Sequence, residues 1–160
     1  MDEPTRIRAG GVLQLHNLSL LGVMSAPDRP GIAFAVFQAL GDAHINAHFV
    51  VQSIDLNNDA HVQFCVSWGD QARTVELLRP IAAELGAQKV IVQSPVAIIS
   101  VFGPDFRERP GIAGLAFWAC AQAGVNILAV STSISTISCV VAEDGYERAL
   151  ESLNRVFALP

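Results

Sequence analysis

One five-residue string occurs twice in this chain. Arg29-Pro30-Gly31-Ile32-Ala33 returns as Arg109-Pro110-Gly111-Ile112-Ala113, offset by 80 residues in a chain of 160. Each copy follows an apolar run that reads as a strand and opens an Ala-rich apolar segment that reads as a helix. A fold for this sequence must therefore supply two strand–loop–helix corners of the same make. Proline at the first helical turn costs little, because its missing N–H would have no intrahelical partner there. The glycine behind it allows a close backbone approach. The unbonded N–H groups of the first turn, with the positive end of the helix dipole, suit a carboxylate or phosphate.

The remaining elements fall into the same two halves. Residues 1–6 read as a loose tail. Residues 7–16 carry a Gly10-Gly11 break and then a short strand, and residues 18–23 form a fuller one. After the first corner, Ile32, Val36, Phe37 and Leu40 recur at helical spacing, and the helix is expected to end near Ala43. Residues 46–54 and 61–68 alternate around the polar turn 55–59 and predict a hairpin. Val62, Phe64, Val66 and Trp68 are expected inward, and His61, Gln63, Cys65 and Ser67 outward. Gly69-Asp70 caps a second helix, with a kink or restart at Pro80 and a stop at Gly86. Residues 89–93 make a fourth strand, giving the order βαββαβ of a ferredoxin-like unit.

The second half repeats the order. Residues 96–103 read as a strand, 112–123 as a helix, and 126–133 with 136–142 as a tighter hairpin. Ala123-x-x-Asn126 repeats Ala43-x-x-Asn46 at the same offset. Asp144 caps the last helix, whose stripe is Leu150, Leu153 and Phe157. No fourth strand is expected before Pro160, which leaves an open edge of a kind that proteins cover. The strand in residues 7–16 is the candidate to fill it. The domains are then 17–94, and 7–16 with 95–160.

Several function classes are excluded by composition. The formal net charge is −5 and Lys89 is the only lysine, so nucleic acid is not an expected partner. No run approaches the ~20 apolar residues of a membrane span, and the acidic start is unlike a signal peptide. Cys65, Cys120 and Cys139 are odd in number and lack a Cys-x-x-Cys pair. They read as reduced, buried thiols in a cytoplasmic protein. His44 and His48 lack a third ligand, so no metal is expected. His16 and His61 read as surface or edge residues. Ser131, Thr132 and Ser133 have no His and Asp at a readable spacing, and no phosphate-gripping Lys or glycine fingerprint is present, so no catalytic residue and no cofactor are assigned.

With these motifs placed, the sequence resembles the tandem ACT-domain regulatory region of aspartokinases. In the first half the resemblance lies in Leu21-Gly22-Val23, Pro27-Asp28-Arg29-Pro30-Gly31, Ile45-Asn46 and Val51-Gln52-Ser53. In the second it lies in Arg109-Pro110-Gly111, Ala123-Gly124-Val125-Asn126-Ile127, and Ser131-Thr132-Ser133 before Ile137-Ser138-Cys139-Val140-Val141. It implies an α+β fold of two ferredoxin-like ACT units packed side by side, the second completed by the N-terminal strand. It also implies a non-catalytic, amino-acid-binding feedback module that pairs with itself as a homodimer and works with a kinase catalytic subunit. The alternatives are a free-standing ACT regulator of another metabolic or transcriptional partner, and a small ferredoxin-like enzyme.

Carried over position by position, Asp28, Pro30, Gly31 and Ile32 form the ligand loop, with Pro110 and Gly111 as its second copy. Gln52 is the polar strand residue. Asn126 and Ile127 face the ligand from the neighbouring unit. A zwitterion needs both donors and acceptors, since burying either charge unpaired is costly. After Ser-Thr-Ser the family shows an acidic, an apolar and a basic residue, where this chain has Ile134-Ser135-Thr136. The lost carboxylate points away from lysine and towards a smaller amino acid such as threonine, or to no ligand.

Overall fold

A computed structural model describes residues 6–158, apart from the side chain of residue 105. The loose tail expected for residues 1–6 lies outside the described residues except for Arg6. The chain divides into two compact units. One is Asn17–Pro95, and the other combines the described residues up to His16 with those from Val96 onward.

Twelve elements are used below. They are β1 (Ile7–Arg8), β2 (Gly11–Pro27), α1 (Ile32–Asp42), β3 (Phe49–Ile54), β4 (Asp59–Ser67), α2 (Gln71–Leu85), β5 (Lys89–Phe102), α3 (Ile112–Gln122), β6 (Ile127–Thr132), β7 (Thr136–Ala142), α4 (Tyr146–Val156) and β8 (Phe157–Ala158). The pairs of strands expected at 7–16 and 18–23, and at 89–93 and 96–103, are thus largely joined into two long strands, β2 and β5.

In the Asn17–Pro95 unit, β4 lies between β3 and β2, antiparallel to both. Helices α1 and α2 bury Ile32, Val36, Leu40, Leu78, Ala82 and Leu85 against Leu21, Val23, Val62, Phe64 and Val66 of the sheet. The other face of β4 is not solvated as its alternation implied, for Cys65 is fully buried. Trp68 is 61% exposed because the strand stops at Ser67 and Trp68 opens a 3-10 turn. Helix α2 runs unbroken through Pro80. Asp70 stands at its N-cap position but does not cap it with its side chain. Instead Asp70 accepts the Thr74 hydroxyl at its carbonyl (2.7 Å) and pairs with Arg73 (3.1 Å).

The other unit repeats this layout with β7 antiparallel to both β5 and β6. Ala116, Ala119, Cys120, Ala149 and Leu153 of α3 and α4 pack on Ala97, Ile99, Val101, Cys139 and Val141. Asp144 does not cap α4: it lies in the 3-10 turn Glu143–Gly145, and Gly145 precedes the helix. Phe157 belongs to β8 rather than to the helix, and it is buried in this core. That short strand corrects the expectation of no strand after the last helix. It pairs in parallel with β1, and the Ala9 N–H donates to the Ala158 carbonyl (3.0 Å). The Gly10 N–H donates to the Phe102 carbonyl (2.7 Å). The N-terminal segment is further tied down at His16, whose Nδ1 lies 2.8 Å from a Glu143 oxygen and whose ring meets Tyr146 edge-on. No helix among the described residues is long and apolar enough to cross a membrane.

Candidate amino-acid site at the proline-glycine corners

The first corner begins where β2 ends. The Asp28 N–H donates to the Asn58 carbonyl (2.9 Å), which ties the loop to the β3–β4 turn. Pro30 and Gly31 precede the helix rather than form its first turn, and Ile32 is the first helical residue. Gly31 has φ of 101°, a conformation that L side chains rarely adopt, so glycine is demanded by the backbone and not by a close neighbour. The first helical hydrogen bond runs from the Ala35 N–H to the Gly31 carbonyl (2.9 Å). The N–H groups of Ile32, Ala33 and Phe34 therefore have no partner within the helix, and no side chain caps it.

These amides open into a cleft of about 390 Å³ lined by Asp28, Arg29, Pro30, Gly31, Ile32, Ala33, Phe34 and Gln52. All five residues expected in the first loop and strand, Asp28, Pro30, Gly31, Ile32 and Gln52, meet there. Gln52 reaches it from β3, where it pairs with Val62. Arg29, also in the lining, donates to the Glu84 carbonyl in the last turn of α2 (3.3 Å). The cleft thus holds unbonded amides at one wall, a carboxylate in the loop and a neutral amide on the strand.

The second corner is built alike but lined differently. Gly111 has φ of 87°, and the Leu115 N–H donates to its carbonyl (3.0 Å). A smaller cleft of about 210 Å³ is lined there by Phe106, Arg109, Gly111, Ile112, Thr132, Ser133, Ile134 and others. Pro110 lies in the loop but not in the lining. Thr132, paired with Ile137, stands where Gln52 stands in the first corner. Arg109 is the one charged side chain among the lining residues described. Asn126, exposed before β6, and Ile127, paired with Val141 on β7, are in neither cleft.

Arg29, Ala33 and Phe34 in the first cleft were not expected as ligand residues, and in the second only Gly111 was, so that Thr132 and Ser133 are among those missed. The repeat itself carried a signal for one of them, since Thr132 lies 80 residues after Gln52. Among the described residues no group of three His, Cys, Asp or Glu side chains could hold a metal ion. The cysteines are buried and reduced. Burial pushes the Cys65 thiol up to about 12. A hydrogen bond with Cys120, and then burial, push the Cys139 thiol up as well, which suits packing rather than nucleophilic attack.

Two family models, each described as an ACT domain, match residues 9–86 and 99–157 and together span most of the chain. The chain belongs to the ACT-domain family. Its ACT pair is 32% identical to the aspartate kinase Ask_LysC of Stutzerimonas stutzeri over 99% of the chain, but over 38% of that protein. The chain therefore spans well under half the length of such curated relatives. Among solved structures, it is similar to the ligand-free regulatory subunit of aspartate kinase from Thermus thermophilus. That match has a TM-score of 0.83 and 29% identity, over 93% of this chain and 98% of the other. A structure of aspartokinase alpha and beta subunits matches at 0.83 and 28%, over 92% of this chain and 97% of that one. The tandem ACT chain is thus similar, over nearly its whole length, to solved regulatory subunits of aspartate kinase.

Proposed function

We propose that this tandem ACT chain is a non-catalytic sensor that binds a small amino acid at its first corner. The observation that carries this reading is the meeting of Asp28, the glycine-opened N-terminus of α1 and Gln52 in one cleft. A ligand carboxylate accepts from the Ile32, Ala33 and Phe34 amides, where the helix dipole also favours negative charge. Asp28 and the Gln52 side-chain oxygen take the ammonium. The second cleft has an arginine but no carboxylate among its described lining residues, so it is poorly matched to a zwitterion. The first cleft also lacks a second carboxylate for a lysine side chain, which supports threonine over lysine.

Self-association in a homodimer is part of the proposal, with Asn126 and Ile127 of a neighbouring unit facing the ligand. Binding then favours one arrangement of copies by its difference in affinity between states. The resemblance to regulatory subunits supports a kinase catalytic subunit as the protein that reads this change, in the cytoplasm. Calorimetric titration with the protein amino acids tests the proposal. Saturable heat with L-threonine, weak or absent with L-lysine, is expected. Flat titrations throughout would overturn it.

A further inference from the structure

Among the described residues four non-glycine residues have positive φ, and two of them, Ser25 (54°) and Asn58 (61°), flank the Asp28 loop. Ser25 sits in the irregular stretch of β2 between Val23 and Ala26. Such backbone conformations persist only where the surroundings hold them. One side chain is bonded towards both places. The Ser25 N–H donates to His61 Nδ1 (3.2 Å), so that nitrogen carries no proton, and the ring proton lies on Nε2, 2.9 Å from Asp55 Oδ2. The other Asp55 oxygen accepts from the Asn57 N–H (2.8 Å) and the Asp59 N–H (3.1 Å). The Asn58 N–H donates to the Asp55 carbonyl (3.1 Å). Asn58 in turn offers its carbonyl to the Asp28 N–H. His61, expected at a surface or edge, has a side chain only 19% exposed.

We propose that His61 is a positioning residue for the amino-acid cleft, and that protonating it loosens the Asp28 loop. This rests on the reading of that cleft as the ligand site. In the neutral ring one nitrogen accepts from Ser25 and the other donates to Asp55, so His61 clamps the β2 irregularity to the β3–β4 turn. A proton arriving at Nδ1 turns that acceptor into a donor facing another donor, and the Ser25 N–H loses its partner. The charged group bonded to the ring is Asp55 on the turn, and Asp59 lies two residues away on the same side of β4. On the neighbouring strands Ser25 and Ser53, the cross-strand partner of His61, are neutral. Asp55 therefore keeps its contact when the ring is charged, and the Ser25 end is the one that lets go. Consistent with this chain of bonds, hydrogen bonds from His61 and then from the Asp59 backbone hold the Asp55 carboxyl below the usual carboxylate range.

Amide hydrogen exchange read by NMR on the unliganded full chain tests this. After correction for intrinsic rates, lowering the pH from about 8 to about 5.5 is expected to speed exchange at Ser25 and Asp28 about tenfold relative to the core amides of β4. His61→Phe is expected to do the same at pH 8. His61→Asn, which keeps an acceptor near Nδ1, should restore Ser25 protection and abolish its pH dependence. Equal rates at both amides across pH and variants would overturn the proposal. In parallel, L-threonine is titrated into wild type and His61→Asn at both pH values. An affinity that falls about tenfold on acidification in the wild type alone supports the clamp. A wild type that takes up no threonine at either pH, with the exchange pattern as expected, removes the amino-acid reading and leaves control of the loop by His61 standing.

Discussion

His44 closes α1 in a left-handed conformation (φ 55°), and the Ile45 N–H reaches back to the Leu40 carbonyl (2.9 Å). The second unit does the same with Gly124 (φ 65°), whose follower Val125 donates to the Cys120 carbonyl. Glycine adopts this conformation without steric cost, so His44→Gly is expected to stabilise the chain by about 1 kcal/mol. A rise in the urea midpoint checks this. At Gly31 the same conformational preference works against substitution. A methyl group meets nothing within 4 Å, yet φ of 101° makes Gly31→Ala costly by about 1 kcal/mol or more, seen as a lower midpoint. Cys65 makes stability depend on alkaline pH. Its thiol is pushed up to about 12 by burial, while in the unfolded chain it titrates at its ordinary, lower value. The unfolded state therefore loses the proton first as pH rises. The Cys65 contribution is intact below about pH 8.5 and falls by up to about 1.4 kcal/mol per unit between there and pH 12. Urea unfolding at pH 8 and pH 10 should show this fall, and Cys65→Ala should lessen it.

At the scale of elements, the repeat and its periodicity carried most of the order. Helices α1 and α3 begin one residue after their glycines because Ile32 and Ile112 are the first residues free of the left-handed turn. Three features were not legible, each for a physical reason. Trp68 looked like the next inward residue of an alternating strand, but alternation does not mark where a strand turns into a 3-10 helix. Pro80 does not interrupt α2, so no restart occurs there. Phe157 sits at helical spacing from Leu150 and Leu153, yet it buries itself equally well from an extended segment paired with β1. That segment gives an element-scale prediction. Deleting residues 1–10 removes the β1–β8 pair, the Gly10–Phe102 hydrogen bond and the packing of Ile7 and Ala9 against the core. Stability should fall by about 2–3 kcal/mol, read as a lower thermal midpoint; an unchanged midpoint would contradict the role given to this segment.

For the molecule as a whole, duplication made the two corners visible in the sequence but concealed their difference. Arg-Pro-Gly-Ile-Ala is the same in both, whereas what lines each cleft comes from distant strands: Gln52 in one, and Thr132 with Ser133 in the other. Asp28 has Glu108 at the matching position of the repeat, yet Glu108 is not among the residues lining the second cleft. The expected ligand residues therefore separate into five that converge, Gly111 in the second cleft, and Pro110, Asn126 and Ile127 in neither. One amino acid per chain follows as the expected stoichiometry, and two would contradict the assignment to the first corner. Asp28→Ala should weaken binding by about ten- to a hundredfold without unfolding the chain, since it removes a charged hydrogen-bond partner from an open loop. The most direct measurement is amide chemical-shift mapping of the 15N-labelled chain during titration with L-threonine. Saturable shifts are expected to concentrate at Ile32, Ala33, Phe34 and the Gln52 side-chain amide, with the midpoint moved to about ten- to a hundredfold higher threonine in Asp28→Ala. Saturable shifts centred elsewhere, or none at those amides, would contradict this site.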